Sequence, residues 1–245
     1  MPDAACTGVP AGVTLHSCSG NLTSGVYDSC LFSGDAYVTG NNVTIIRSRV
    51  LGKVSGSNQY SSSRNLQLID VEIDGGSNPT SEAAIGEDGW SCLRCNIHNT
   101  GRGANFGTNV TIRDSYFHDF TKVGDSHMSA AGSNGGNANT IVHNVFDCPV
   151  PQCSGAFVMY GDWEQISNVL VQNNLLASPG SYCTYAGSVG GKPYPHATSV
   201  RYVDNRFSYK YTPVCGLYGP VTSWEWNAGN VWSGNAFTDG KPVTV

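Results

Sequence analysis

The chain has 245 residues, a net charge of −5 and 13% charged side chains, about half the usual share of roughly 25%. Five lysines in an acidic chain argue against a nucleic-acid binder, which needs a basic face, and no apolar run approaches the roughly 20 residues of a membrane span. Met1-Pro2-Asp3 does not read as a signal peptide, so the expectation is a secreted protein whose signal lies outside this sequence.

Residues 1–40 read as an N-terminal cap and first coil, with Cys18 and Cys30 placed to bridge. From Val43 to Phe237 an eight-residue segment recurs. Its best copies are Val43-Thr-Ile-Ile-Arg-Ser-Arg-Val50, Val110-Thr-Ile-Arg-Asp-Ser-Tyr-Phe117, Val169-Leu-Val-Gln-Asn-Asn-Leu-Leu176 and Val200-Arg-Tyr-Val-Asp-Asn-Arg-Phe207; weaker ones are Leu66–Ile73, Trp90–Ile97, Asn139–Phe146 and Asn230–Phe237. Successive copies begin 23, 24, 20, 29, 30, 31 and 30 residues apart, a period that marks a solenoid. Each repeat is strand, turn, strand, with no helical run. The predicted fold is therefore all-β, a single-domain right-handed parallel β-helix of about eight coils over residues 41–238, with residues 239–245 as a tail.

Columns through the aligned copies support this register. First and third positions are mostly apolar, and the eighth (Val50, Ile73, Ile97, Phe117, Phe146, Leu176, Phe207, Phe237) is a continuous apolar stack. The sixth runs Ser48, Val71, Cys95, Ser115, Asn144, Asn174, Asn205, Asn235, which predicts an internal amide ladder at a bend. Arg47, Asp70, Arg94, Asp114 and His143 alternate in charge at the fifth position, and Arg49 faces Glu72 at the seventh; these read as a surface ladder rather than as chemistry. A second column ends in Gly86, Gly107, Gly132, Gly161, Gly187 and Gly219, predicted to turn one corner of each coil.

Nine cysteines point to an oxidising compartment. Cys148 and Cys153 read as a short bridged loop, and Cys183 and Cys215 as a stacked pair on consecutive coils. Cys92-Leu-Arg-Cys95 reads as part of a strand whose alternation points the two thiols to opposite faces, in preference to a zinc or redox motif; Cys6 is left over if they pair.

Chemistry is predicted in two places. One position beyond the apolar stack lie Asp74, His98, His118 and Asp147, the densest ionisable cluster, suited to acid–base work or to a polar ladder, with a metal a lesser reading. Asp125-Ser-His127 is the second candidate. Counting alternation back from the glycines puts Arg102, Phe106, His127, Ser129, Tyr160, Tyr182, Thr184 and Tyr218 outward, an aromatic stripe of the kind that carries sugars. Asp162, Tyr185, Lys192 and Tyr194 fall in loops at the same corner, where Lys192 could neutralise a carboxylate or take a proton. Glu82, Glu87 and Asp88 offer ligands for Ca2+ or form a solvated acidic loop, the second being preferred; no cofactor is required. Trp224-Glu-Trp226 is read as the seat of a C-terminal cap.

Through Asn-Val-Thr-Ile at 42–45 and 109–112, the asparagine column and Tyr160-Gly-Asp162, the chain resembles the pectate-lyase-like superfamily over roughly residues 40 to 240. It looks especially like the compact secreted β-helix domains of actinobacterial polysaccharide-degrading systems. That resemblance implies an extracellular monomer whose partner is a polysaccharide or oligosaccharide. It does not choose among lyases, hydrolases, esterases, epimerases and non-catalytic adhesins. Neither the Arg-x-Pro-x-x-Arg of pectate lyases nor the Asn-Thr-Asp, Gly-His-Gly and Arg-Ile-Lys set of polygalacturonases is present. The expected activity is polysaccharide cleavage. Elimination by His118, His127, Lys192 or Tyr185, with Arg102 near a carboxylate, is preferred to hydrolysis by two of Asp125, Asp147 and Asp162. The alternative is a glycan-binding module without chemistry. Ice binding would need regular Thr-x-Thr coils, which are missing.

Overall fold

Alternating apolar residues that fill one face at period two, interrupted by a polar residue able to enter left-handed backbone space, force each repeat to bend. The computed structural model describes residues 1–57 and 65–245 and shows where those bends go. The chain winds through three sheets in strict rotation, every pairing between neighbouring strands of a sheet being parallel. Among the described residues sheet 1 has ten strands, from His16–Ser17 to Ala236–Phe237; sheet 2 has nine, from Asn21–Leu22 to Val221–Thr222; sheet 3 has nine, from Gly25–Asp28 to Val231–Ser233. This is a parallel β-helix in one domain.

The repeat occupies sheets 3 and 1. Its first four positions lie on sheet 3, and strand pairing places Val43, Leu66, Trp90, Val110, Asn139, Val169, Val200 and Asn230 in one row, reproducing all seven spacings read from the sequence. The array also begins one copy earlier. Gly25-Val-Tyr-Asp-Ser-Cys-Leu-Phe32 pairs in register with Val43–Val50. Glycine in the first position had hidden this copy, so the described strands complete nine turns rather than eight.

The turn between sheets 3 and 1 has a fixed construction. The fifth-position residues Ser29, Arg47, Asp70, Arg94, Asp114, His143, Asn173 and Asp204 all have φ between +48° and +56°. The sixth-position residue then points inward, and its side-chain oxygen accepts the backbone N–H of the sixth residue one coil earlier. Cys30 N donates to Ser48 Oγ (2.9 Å), Cys95 N to Ser115 Oγ (3.0 Å), and Ser115 N to Asn144 Oδ1 (2.9 Å). Asn144, Asn174 and Asn205 extend the series, each donating N–H and Nδ2 to the next asparagine's Oδ1 at 2.9–3.0 Å. A second left-handed row, Asn42, Asn65, Gly89, Asn109, Ala138, Asn168, Ser199 and Gly229, stands immediately before the first position and turns the chain into sheet 3.

The core is a stack of rows from the three sheets. Phe117, Phe146, Phe157 and Phe106 touch in series with ring centroids 5.0–5.4 Å apart. Trp224, Trp232 and Tyr202 pack together and close the C-terminal end, as the Trp224-Glu-Trp226 motif implied, although Trp226 itself is mostly exposed. Four disulfides are present. Three join the expected pairs, Cys18–Cys30, Cys148–Cys153 and Cys183–Cys215. The fourth joins Cys92 to Cys95 and corrects the alternation argument: the left-handed turn at Arg94 lies between them, so both thiols face the core.

Two further expectations about sheet 2 are corrected. Its glycines do not form one column. Pairing aligns Ile85, Ala104, Ala131, Phe157, Thr184 and Val221, which are 19, 27, 26, 27 and 37 residues apart, against 21, 25, 29, 26 and 32 for the glycines. Alternation counted from those glycines consequently fails. Phe106, Ser129 and Thr184 are buried, not outward: Thr184-Tyr185-Ala186 keeps the period of two with the opposite parity, and all six residues of Met128–Ser133 are buried.

Asn174→Ala would strand two donors of Asn144 and remove the amide that binds Ile141 O and Asn205 Oδ1. A loss of about 2–4 kcal/mol in chemical denaturation is expected. Asn173→Gly, one residue away at the left-handed position, should cost under about 1 kcal/mol.

Candidate functional site

The outer faces of sheets 1 and 2 carry different kinds of polar side chain, and the predicted residues divide between them. On sheet 1, Asp74 pairs with His98 across adjacent strands, and the His98 and His118 rings stack 5.1 Å apart. His98 Nε2 meets Glu72 Oε1 at 3.0 Å and its Nδ1 meets Asn99 Nδ2 at 2.9 Å. His118 Nδ1 meets Asp119 Oδ2 at 2.6 Å and its Nε2 meets Asn96 Oδ1 at 2.8 Å. Asp147 is buried and accepts from Lys210 Nζ (2.5 Å) and Tyr211 Oη (2.7 Å). The N-terminal segment lies over this face: Gly8 N donates to Arg94 O, and a Cβ on Gly8 would stand 2.9 Å from that of Asn96.

Every ring nitrogen in this cluster therefore has a partner. Burial pushes the His118 pKa down despite the opposing carboxylate of Asp119. Burial alone would raise Glu72, but its bonds to His98 and Arg49 outweigh that and hold it below the usual carboxylate range. Glu72, Asp74 and His98 also fall within metal-ligand reach of one another. Here Glu72 meets Nε2 at 3.0 Å and Asp74 lies 3.8 Å from Nδ1, so both carboxylates are engaged with the imidazole. The arrangement is a saturated polar ladder.

Sheet 2 is different. Arg102 and Asn105 sit on one strand, and two depressions open on either side of them. The first, of about 330 Å³, is lined by Lys53, Ser55, Glu82, Glu87, Arg102 and Asn105. The second, of about 90 Å³, is lined by Arg102, Asn105, His127, Ser129, Ser154 and Tyr160. Sharing two residues, they form one groove along the helix axis. His127 is exposed and precedes the strand Met128–Ser133; Lys122 Nζ donates to Ser126 O at 2.6 Å and holds its turn. Asp125 is exposed on the same turn. Neither Asp125 nor His127 has a side-chain hydrogen bond among the described residues.

Tyrosines continue the groove across the next coils. Tyr160 and Tyr185 have centroids 5.2 Å apart, Tyr185 and Tyr182 5.7 Å, and Tyr182 and Tyr218 5.9 Å. Tyr218 is 69% exposed and marks the solvent end. Burial raises the phenol pKa of Tyr160 well above its usual value and that of Tyr185 in the same direction, so both remain proton donors at neutral pH. Lys192 lies 5.3 Å from the Tyr160 ring centre and 2.7 Å from Asp162 Oδ1. Tyr194 N donates to Gly161 O and ties that loop to the Tyr160 corner.

The structure thus brings together Arg102, His127, Tyr160, Asp162, Tyr182, Tyr185, Lys192, Tyr194 and Tyr218. It sets His98, His118 and Asp147 on another face. Ser55, Asn105 and Ser154 were absent from the sequence-derived set, and Glu87 entered it only as a calcium ligand. Their place depends on the sheet 2 register, which alternation misread. Comparison with protein-family models, curated proteins and solved structures returns no match. The chemistry of the groove is accordingly read from its own residues.

Because Glu72 and Asp74 have lowered folded pKa values, their stabilisation is present above the usual carboxylate range of about 4 and is lost as pH falls through the lowered values. The melting temperature should drop on acidification through that window. Glu72→Gln should flatten part of the drop and cost about 1–3 kcal/mol at neutral pH.

Proposed function

We propose that the protein is an extracellular polysaccharide-cleaving enzyme whose substrate lies along the outer face of sheet 2. The observation that carries this reading is the run of contacting tyrosines that leads into a groove containing an exposed imidazole and an unpaired guanidinium. Tyrosine faces take the apolar side of pyranose rings while polar neighbours take hydroxyls. From the Ser55 strand to the Val221 strand the face crosses six strand spacings, roughly 29 Å, enough for several sugar units. The four disulfides are compatible with an extracellular setting, and the three-sheet coil agrees with the pectate-lyase-like resemblance.

Elimination fits the groove better than hydrolysis. Of the three carboxylates considered for hydrolysis, Asp147 is bonded to Lys210 and Tyr211 on sheet 1, Asp162 is paired with Lys192, and Asp125 sits on an exposed turn. In the elimination, His127 takes the proton from the carbon next to the carboxylate, a carbon–carbon double bond forms, and the adjacent glycosidic C–O bond breaks. Tyr160, held protonated by burial, gives its proton to the leaving oxygen. Arg102 offsets the charge that develops on the carboxylate.

A panel of neutral and uronate-containing polysaccharides, assayed with and without calcium for ultraviolet absorbance and reducing ends, tests this. Both signals should rise together. His127→Ala and Tyr160→Phe should each lower kcat by about 10²–10⁴-fold with binding largely kept. Reducing ends without absorbance would mean hydrolysis. Tight binding of a glycan with neither signal would identify a binding module.

A further inference from the structure

We propose that the depression at Ser55, Glu87, Arg102 and Asn105 is a subsite for an anionic substituent, a carboxylate or a sulfate ester, on the glycan carried by the sheet 2 tyrosines. This rests on the groove reading above, in which Arg102 already faces a carboxylate, and adds Ser55 and Asn105 as further donors and Glu87 as the group that gates them. Among the described residues, three buried side-chain nitrogen or oxygen atoms have no hydrogen-bond partner: Ser55 Oγ, Arg102 Nε and Trp224 Nε1. Two of the three line this one depression. A buried donor without an acceptor costs stability that a ligand oxygen restores, and a guanidinium fork matches a planar carboxylate or a sulfate edge.

The charges around the depression leave Arg102 as its uncommitted cation. Lys53 is bound to Glu82 and lies 3.9 Å from Asp35. Asp88 turns away and accepts from Thr108 N at 2.6 Å. His127 stands on the far side of Arg102, in the second depression. Glu87 is the acid that faces Arg102. It is half buried, and among the described residues the one hydrogen bond to its carboxylate, from Asn105 Nδ2, is long at 3.4 Å. Burial first and then the neighbouring Asp88 raise its pKa. When Glu87 carries its proton, Arg102 is unbalanced, and Glu87, Asn105 and Ser55 can all donate toward an anion. When Glu87 ionises, it neutralises Arg102 and repels the same ligand. The Glu87 proton therefore gates the subsite, and anion affinity should fall as pH rises through its raised pKa.

The test is calorimetric titration of the intact protein with uronate, sulfated and neutral oligosaccharides of matched length, at about pH 5 and about pH 8. One anionic class should bind at least about ten-fold tighter than the neutral one, and its identity separates carboxylate from sulfate. Arg102→Gln should remove that preference, Ser55→Ala should reduce it, and Glu87→Gln should abolish its pH dependence while the fold, checked by its melting curve, is kept. Equal affinity for all three oligosaccharides, unchanged in Arg102→Gln, overturns the subsite and leaves the groove standing. Failure of every oligosaccharide to bind overturns the groove. Titration with glucuronate and with glucose 6-sulfate, followed at the Arg102 Nε–H resonance, then decides the subsite alone, and an unmoved resonance overturns it.

Discussion

The corner between sheets 3 and 1 is the constraint on which the rest of the coil depends. Reversing the chain inside two residues takes the fifth position into left-handed space, which L side chains enter at a cost of about 1–2 kcal/mol each outside glycine, asparagine and aspartate. It also leaves the sixth residue's N–H inside the core, off the strand ladders. A hydroxyl or amide oxygen from the next coil accepts it. The asparagines go further, because Nδ2 also reaches a sheet 3 carbonyl in the previous coil, as in Asn144 to Ile112 O and Asn205 to Val171 O, each 2.9 Å. One residue type thus satisfies its own coil and two neighbours. Val71 and Cys95 cannot do this and interrupt the series, where the core is held instead by apolar contact and the Cys92–Cys95 bridge.

That rigidity decides where variation is allowed. An inserted residue at the ladder corner would move every later side chain to the wrong face, so differences in coil length fall in the loops on either side of sheet 2. Those loops carry His127 before Met128, Asp162 after Met159, Lys192 and Tyr194 after Ala186, and Tyr218 before Val221. Loops on a fixed scaffold are the usual place for binding chemistry. Here the scaffold presents them along one line.

The two polar faces contrast in how their charges are used. On sheet 1 and at the adjoining corner, carboxylates meet arginine, histidine or lysine: Asp28 with Arg47, Asp70 with Arg94, Asp114 with His143, Glu72 with Arg49 and His98, Asp147 with Lys210. Such ladders steady the stack, and the exposed pairs contribute little individually. On sheet 2, neither Arg102 nor His127 forms such an ion pair among the described residues. Chemistry needs groups free to exchange partners with a ligand, and density of titratable residues is a poor guide to that freedom.

The repeat, its register on sheet 3, the asparagine ladder, the surface ion pairs and three of the four disulfides were legible in the sequence. Each follows from a local rule repeated at a fixed offset, and stacking converts that offset directly into contact. The tyrosine stripe was partly legible, since Tyr160, Tyr182 and Tyr218 were placed outward. The Cys92–Cys95 bridge, the buried positions of Phe106, Ser129 and Thr184, and the place of Glu87 and Asn105 beside Arg102 and His127 were decided by tertiary structure alone. The backbone leaves the period of two at the left-handed turn of Arg94, and on sheet 2 the pairing shifts register near Ile85 and Met128, while Thr184 keeps the period with the opposite parity. Such a departure is set by how neighbouring coils pack, which no single strand's sequence encodes.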